Sequence, residues 1–377
     1  MLTLSSRARV SHAVIQSRRY MSHVRPFAAD DLVLLRNKRD RDAPPILRTL
    51  QPGRKIESHR GTIQHDDIIG SRPRDIVKAR TSKANKAATD FRLHSVTLDD
   101  YCKLSRRLVT PIYPADANLI VSLFDLHPDA DEEATATAIL EAGTGHGALT
   151  LHLSRAIHAA NASRQGPLTG DSRKAVIHSI DISPKFSAHA QTVVEGFRRG
   201  KYANNVDFHV CDVSEWLRSR HEQGPRFSHA FLDLPQSDRH LPAVAEALRT
   251  DGTLIVFNPS ITQITACATK VKDDGIPLDL ERVVELGVNG GSGGRDWDVR
   301  FVHPKRVVEE RSESESESDM GESSISDDDT DVSSTASDEA ISSRKWAMVC
   351  RPKVGERITG GGFLGIWKKQ RNMKTDH

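Results

Sequence analysis

The sequence predicts an α/β protein built on a parallel sheet, preceded by a small, mainly β domain. Three observations carry that prediction. From Tyr113 onward, short apolar strand candidates alternate with helical stretches, the pattern of βαβ units. One of those strands runs into a loop with glycines at 143, 145 and 147 that opens a helix, a turn that lets backbone approach a ligand with no Cβ in the way. Ahead of Tyr113 the apolar runs are short and separated by Gly, Pro, Asp and Asn, which reads as β structure with turns.

Taken in order, residues 1–22 carry Arg7, Arg9, Arg18 and Arg19, several serines and no acid. That is the composition of a mitochondrial transit peptide, and Leu2, Leu4, Val10, Val14 and Ile15 supply an apolar helix face opposite the arginines. The expectation is a protein of the mitochondrial matrix, set against an ordinary basic N-terminus with no targeting role. Residues 27–110 form the small basic β domain, with apolar runs at Leu32 to Leu35, Ile46 to Leu50, Ile68-Ile69 and Ile76-Val77. Its basic side chains belong on outward strand faces and loops, because alternation leaves one face solvated.

Residues 111–302 and 344–368 form the α/β domain. Pro114 at a first helical turn, followed by Leu119, Ile120, Leu123 and Phe124, predicts an amphipathic helix. Strands are expected at Ala138 to Glu141, Ala175 to Asp181, Val206 to Val210, His229 to Leu232, Thr253 to Phe257 and Leu278 to Leu286. Helices are expected near Gly147 to Ala160, Pro184 to Gly200, Leu241 to Arg249 and Ile261 to Asp274. Trp346 to Cys350 has strand composition, and the glycine-rich run from Gly360 to Trp367 ends the fold. Between these lies a Ser- and acid-rich insertion, 309–343, which lacks the apolar content to build a core and is expected to be disordered.

A net charge of +2 conceals opposed blocks. Met1 to Pro111 holds 23 Lys plus Arg against 11 Asp plus Glu, a balance of +12. Glu309 to Glu339 holds 13 acids and one Arg, a balance of −12. A basic body with an acidic tract suits a polyanionic partner such as nucleic acid, or a merely solvated basic surface. No apolar run approaches the roughly 18 residues that a membrane span needs. The four cysteines lie far apart, with no pairing or zinc-ligand spacing.

The segment Ile139 to Gly147 bears most on the chemistry. Dinucleotide folds open similarly, but their fingerprint is G-x-G-x-x-G, and Glu141 ahead of the glycines would repel a pyrophosphate. A cationic sulfonium with an α-amino group suits Glu141 far better. Asp181 ends the next strand, where a carboxylate can hold a ribose diol. Asp212 ends the third, where one can accept from an adenine amino group. Asp233, followed by Leu234 and Pro235, ends the fourth and is placed to take a hydrogen bond from a target adenine. Asp181 and Asp212 alone are more often helix caps or loop acids, and Asp233 alone reads equally as a cap; together they line the carboxyl edge of a sheet.

These segments resemble the tRNA adenine-58 N1-methyltransferase catalytic-subunit family. The resemblance is carried by IYPADANLIVSLFDLHP, ILEAGTGHGALTLHLSRAI, FLDLP and FNPSITQI, with GTIQHDDIIG in the small N-terminal domain. It implies a Rossmann-like class I methyltransferase sheet, S-adenosyl-L-methionine as cofactor and no metal. Glu141, Gly143, Thr144, Gly145 and Gly147 would line the methionine and ribose portion. Asp181 would hold the ribose and Asp212 the adenine, with Tyr113 and Pro114 bordering the pocket and Asp233 as the catalytic carboxylate. The N-terminal domain would contact tRNA, and the family's assemblies imply a homotetramer, or a heterotetramer with a non-catalytic tRNA-binding subunit.

Three departures from the family pattern are His146 where Ser is common, Gln236-Ser237-Asp238-Arg239 after the Asp-Leu-Pro run, and Asn258-Pro259-Ser260 in place of Ser-Pro-Cys. The last two bear on the substrate face. The competing readings are a companion subunit that binds tRNA without catalysis, and a methyltransferase acting on another RNA or on protein.

Overall fold

Alternating burial in the first strands builds an antiparallel sheet. In the computed structural model, residues 25–40, 42–80, 88–128, 137–162, 173–220, 226–287, 297–302, 347–352 and 361–371 are described. The expected transit peptide and acidic tract lie outside them. Strands β1 (Leu32–Asn37), β2 (Ile46–Thr49), β3 (Lys55–Ser58), β4 (Gly61–Gln64), β5 (Ile76–Lys78) and β6 (Asp90–Ser95) come first. Four of them form a sheet in the order β2-β1-β6-β5, and β3 pairs with β4 as a separate hairpin. Val33 and Leu35 of β1 and Phe91 and Leu93 of β6 turn one face onto Ile56, Ile63 and Ile68, giving this region its own core. Ile68-Ile69 is not a strand: it follows a single 3-10 turn at His65–Asp67, and Ile68 plugs the core from there.

Helix α1 (Leu98–Leu104) is capped by Thr97, whose hydroxyl accepts from the Asp100 N–H at 3.0 Å. Helix α2 (Pro114–Phe124) starts with proline at its first position, where no amide is missed. There follow β7 (Thr137–Ala142), α3 (Ala148–Ala162), β8 (Ala175–Asp181), α4 (Pro184–Gly196), β9 (Val206–Val210), α5 (Val213–Arg218), β10 (Phe227–Leu232), α6 (Leu241–Ala247), β11 (Leu248–Asn258), α7 (Ile261–Asp273), β12 (Leu278–Glu285), β13 (Trp297–Val302), β14 (Ala347–Pro352) and β15 (Phe363–Lys369).

Seven strands make one sheet in the order β12-β15-β11-β10-β7-β8-β9. Neighbours from β11 to β9 are parallel, and β15 runs antiparallel to both β11 and β12. Buried Ile139, Ile177, Phe231 and Ile255 face one helical layer, and Leu140, Ile180, Leu232 and Leu254 the other, so both faces of the sheet are covered. Helix α4 stops at Gly196 rather than Gly200, because Arg198, Arg199 and Gly200 all adopt positive φ. Helix α6 ends at Ala247, and β11 begins at once with buried Leu248, two residues before the helix was expected to end.

The N-terminal sheet and the seven-stranded sheet share one compact unit. Leu34 of β1 enters the same apolar cluster as Tyr101, Ile120 and Leu149. The guanidinium of Arg199, just past α4, pairs with Asp31 at 3.1 Å and donates to the Ala29 carbonyl. Strands β13 and β14 pair antiparallel with each other and belong to a second unit, so the acidic tract joins two strands that are not part of the main sheet.

Candidate active site

The chain leaves β7 toward β8 and β9 on one side, then returns to build β10 and β11 on the other. The crevice where the winding reverses, beyond the carboxyl ends of β7 and β10, is where open α/β sheets take their ligands. A cavity of about 540 Å³ lies there. Its walls come from the loop 109–113 ahead of α2, the glycine loop after β7, the ends of β8 and β10, and Phe257, Leu286 and Gly361.

Glu141 lies at the end of β7 and is 1% exposed. Its Oε2 accepts from the Ser179 hydroxyl at 2.6 Å and the Thr150 hydroxyl at 2.7 Å. Ser179 Oγ also lies 2.8 Å from Thr144 Oγ1, so Thr144 supplies the proton there when Ser179 donates to Glu141. Burial pushes the Glu141 carboxyl up to about 7, with further upward pressure from the negative charges of Asp233 and Asp181 and partial relief from the two hydroxyls. Asp181, ending β8, accepts from the Gly145 N–H at 3.0 Å and the Ser183 N–H at 2.8 Å. Those two bonds clamp the glycine loop to the strand end and aim the carboxylate at the cavity.

Asp233 follows β10. Its backbone N–H donates to the Ala142 carbonyl at 2.9 Å, and a Cβ at Gly143 would collide with its carbonyl oxygen. The two loops therefore touch through backbone. The Asp233 carboxylate has no hydrogen-bond partner among the described residues. Burial, then the charge of Asp181, raises it to about 6. His146 is 2% exposed, with Nε2 3.2 Å from the Ser105 hydroxyl. Burial, followed by His189, drives it down to about 4, so it lines the cavity as a neutral imidazole.

Of the residues the sequence pointed to, Tyr113, Glu141, Gly143, Thr144, Gly145, Gly147, Asp181 and Asp233 all line this cavity. Pro114 and Asp212 do not. Pro114 is buried at the first position of α2. The chain turns into α5 directly after Asp212, whose carboxylate accepts from the Glu215 N–H at 3.0 Å and serves as the helix cap. Sequence reasoning missed Asp116, which is 2% exposed on the first turn of α2 and lines the wall. Its signal was the alternation of acid and alanine inside the Tyr-Pro-Ala-Asp-Ala run. It also missed Ser179 and Thr150, which meet Glu141 only because β8 and α3 flank β7.

Four carboxylates, Asp116, Glu141, Asp181 and Asp233, thus line one cavity, and no Lys or Arg does among the described residues. Such a cavity favours a cation and repels an anion. Ile182, 74% exposed beside Asp181, adds with Phe186 an apolar shelf fit for a flat ring. A sulfonium with an ammonium group and an adenosyl moiety fits this donor set. Among the described residues no group of His, Cys, Asp and Glu could hold a metal, and no helix is long and apolar enough to cross a membrane.

Comparison with known proteins agrees with this geometry. The family described as the tRNA methyltransferase complex GCD14 subunit matches residues 102–365, and the TrmI-like N-terminal family matches residues 26–73. The tRNA (adenine(58)-N(1))-methyltransferase TrmI of Thermus thermophilus is 28% identical over 269 residues, covering 71% of this chain and 89% of that protein. The tRNA (adenine(57)-N(1)/adenine(58)-N(1))-methyltransferase TrmI of Methanocaldococcus jannaschii is 24% identical over 242 residues, 58% of this chain and 77% of that one. In fold, the chain is similar to the crystal structure of a SAM-dependent O-methyltransferase from Thermotoga maritima (TM-score 0.56, 17% identity, 93% of this chain and 97% of that one). It is similar too to TrmI, a tRNA (m1A58) methyltransferase from Aquifex aeolicus (TM-score 0.54, 17% identity, 92% and 99%). With a family match spanning most of its length, over a methyltransferase-like sheet whose switch-point cavity is acidic, this chain belongs to the GCD14 family of tRNA methyltransferase complex subunits.

Proposed function

We propose that this chain transfers a methyl group from S-adenosyl-L-methionine to N1 of adenine 58 in the T-loop of tRNA. The observation that carries the reading is the Asp233 carboxylate, which has no hydrogen-bond partner among the described residues and faces the same acidic cavity as Glu141 and Asp181. The relatives named for that reaction, and the family match over residues 102–365, support it. Bound there, the cofactor supplies an electrophilic methyl group on a positively charged sulfur.

The chain's own residues would do the rest. Glu141, held by Ser179 and Thr150, stabilises positive charge beside the glycine loop. Asp181, fixed by two backbone amides, presents its remaining lone pairs to a diol. Asp233 accepts from the exocyclic amino group of the adenine and stabilises the positive charge that grows on the ring as N1 is alkylated. N1 already carries its lone pair, so no general base has to act first; position supplies much of the rate. The target base must leave its stack to reach this depth.

A matrix location belongs to the same proposal and rests on the acid-free, Arg- and Ser-rich first 22 residues. N-terminal sequencing of the mature protein tests it: a start downstream of Arg19 is expected, and an intact Met1 in purified mitochondria-free fractions would refute it. A tetramer, of this chain alone or with a tRNA-binding companion, is proposed on the family resemblance and is tested by sedimentation of the purified chain. The reaction itself is tested with labelled cofactor and an unmodified tRNA transcript, mapping the product by reverse-transcription arrest. A stop at adenine 58 is expected; methyl transfer elsewhere, or only to protein, would overturn the assignment.

A further inference from the structure

The face of the N-terminal sheet opposite its own core, past the point where Leu34 packs away, gathers cations that nothing in the catalytic cavity uses. Arg36 of β1 and Arg92 of β6 are direct cross-strand partners, both exposed. Like charges set opposite each other in a sheet repel. Arg74, just before β5 and at a φ of 84°, adds a third guanidinium, its Nη1 3.3 Å from His94 Nδ1. After burial, the fields of Arg74, Arg36 and Arg92 hold His94 below the ordinary imidazole range, which places all three around one ring. The acid in reach is Asp100, 3.1 Å from Arg36; Arg74 and Arg92 have no ion-pair partner among the described residues. Next to Arg92 in register lies Ile76, 43% exposed, an apolar surface beside the charges.

A sheet that tolerates this repulsion, with Asp100 alone among the described residues pairing with one of the three guanidiniums, is complementary to an external polyanion. We infer that Arg36, Arg74 and Arg92 form a docking site for consecutive backbone phosphates of the RNA substrate, with Ile76 packing against a sugar or base. The inference rests on the proposed RNA substrate and locates where its backbone is held. The connection to the cavity is short, running through an ion pair, one helix and a hydrogen bond. Arg36 pairs with Asp100 in the first turn of α1, and α1 spans only about 10 Å before Ser105, whose hydroxyl meets His146 in the cavity wall. Phosphates held at the cluster are therefore a few nucleotides from the base being modified, and the grip sets its register.

The test uses the full chain and an unmodified tRNA transcript, with affinity measured by filter binding between 50 and 300 mM KCl, on the order of the range over which phosphate contacts dominate. The double variant Arg74→Ala/Arg92→Ala is expected to weaken binding about tenfold at 100 mM and to lower the slope of log affinity against log salt by about 2. The thermal midpoint and the affinity for S-adenosylhomocysteine should hold, since both side chains are exposed and away from the cavity. The control Lys272→Ala/Arg282→Ala removes two exposed charges elsewhere, one on α7 and one on the edge strand β12. An equal loss there would show diffuse attraction and overturn the site, as would an unchanged slope in the first variant. Loss of affinity for a polyglutamate peptide with tRNA binding intact would overturn it in favour of an acidic protein partner. Wild-type chain that binds cofactor but no tRNA at any salt would instead fail the functional proposal itself.

Discussion

Gly143 and Asp233 touch through their backbones: the position of a Gly143 Cβ is occupied by the Asp233 carbonyl. The contact joins the loop proposed to hold the cofactor to the loop proposed to face the base, and it fixes the spacing between the two halves of the site. Gly143 also has φ +91°, a conformation that L side chains rarely adopt. Gly143→Ala is therefore expected to damage the fold as well as the site, lowering the thermal midpoint by roughly 5–10 °C and abolishing cofactor binding. Calorimetry with and without S-adenosylhomocysteine checks both.

Gly145 makes a contrasting case. Its nearest neighbours to a hypothetical Cβ are the Gly143 carbonyl at 3.9 Å and Val109 Cγ1 at 4.0 Å, and its φ of 52° is one that Asp tolerates. Gly145→Asp should fold normally and send a fifth carboxylate toward the cavity, removing measurable cofactor affinity. Normal affinity in a calorimetric titration would refute the placement of this loop.

Asp233→Ala is expected to lower the methylation rate at least 100-fold, on the order of what one transition-state hydrogen-bonding group is worth, while cofactor affinity stays within about threefold. Because the wild-type carboxylate is desolvated and has no hydrogen-bond partner among the described residues, the variant should also be more stable, by about 1 kcal/mol at pH 8. Joint loss of cofactor binding would contradict the assigned role.

The carboxyls of Glu141 and Asp233 are held at about 7 and about 6. A bound cation beside Glu141 favours its ionised form, so binding releases a proton there and the affinity rises with pH. It should climb from pH 5.5 and level off above about 7.5, by up to about tenfold per unit for each proton released. The stability of the free protein runs the other way. Both groups have folded-state values above their ordinary ones, so stability present at about pH 4 is progressively lost as pH rises toward about 7. Titration calorimetry across this range, with Glu141→Gln expected to flatten most of the slope, is the measurement.

Much of this architecture is legible in the residues. β8 and β9 stand where their apolar composition put them, and the glycine loop announces the ligand crevice, because strand-loop-helix geometry is a local property. The β3–β4 hairpin was missed: Lys55–Ser58 and Gly61–Gln64 are largely polar strands, each with a single buried isoleucine. Asp212 and Asp181 look equivalent in sequence, each at a strand end. They differ because Ser183, not Asp181, caps α4, whereas Asp212 itself caps α5. Whether an acid faces a ligand or an amide is decided by where the following helix starts, and short-range pattern does not encode that offset. The partners of Glu141 depend on sheet order, which is longer-ranged still.

The position of β15 has a consequence for biosynthesis. It is the last strand described in the chain, yet it lies between β11 and β12, hydrogen-bonded to both. Until residues 363–369 have left the ribosome, β11 and β12 each offer a bare edge to other polypeptides, and Phe257 and Leu286 have no neighbour to complete their side of the cavity. The nascent protein therefore cannot finish its sheet in step with translation. It depends on whatever shields those edges in the interval, and a ribosome that stalls shortly before this strand releases a chain primed to aggregate rather than a weakened enzyme.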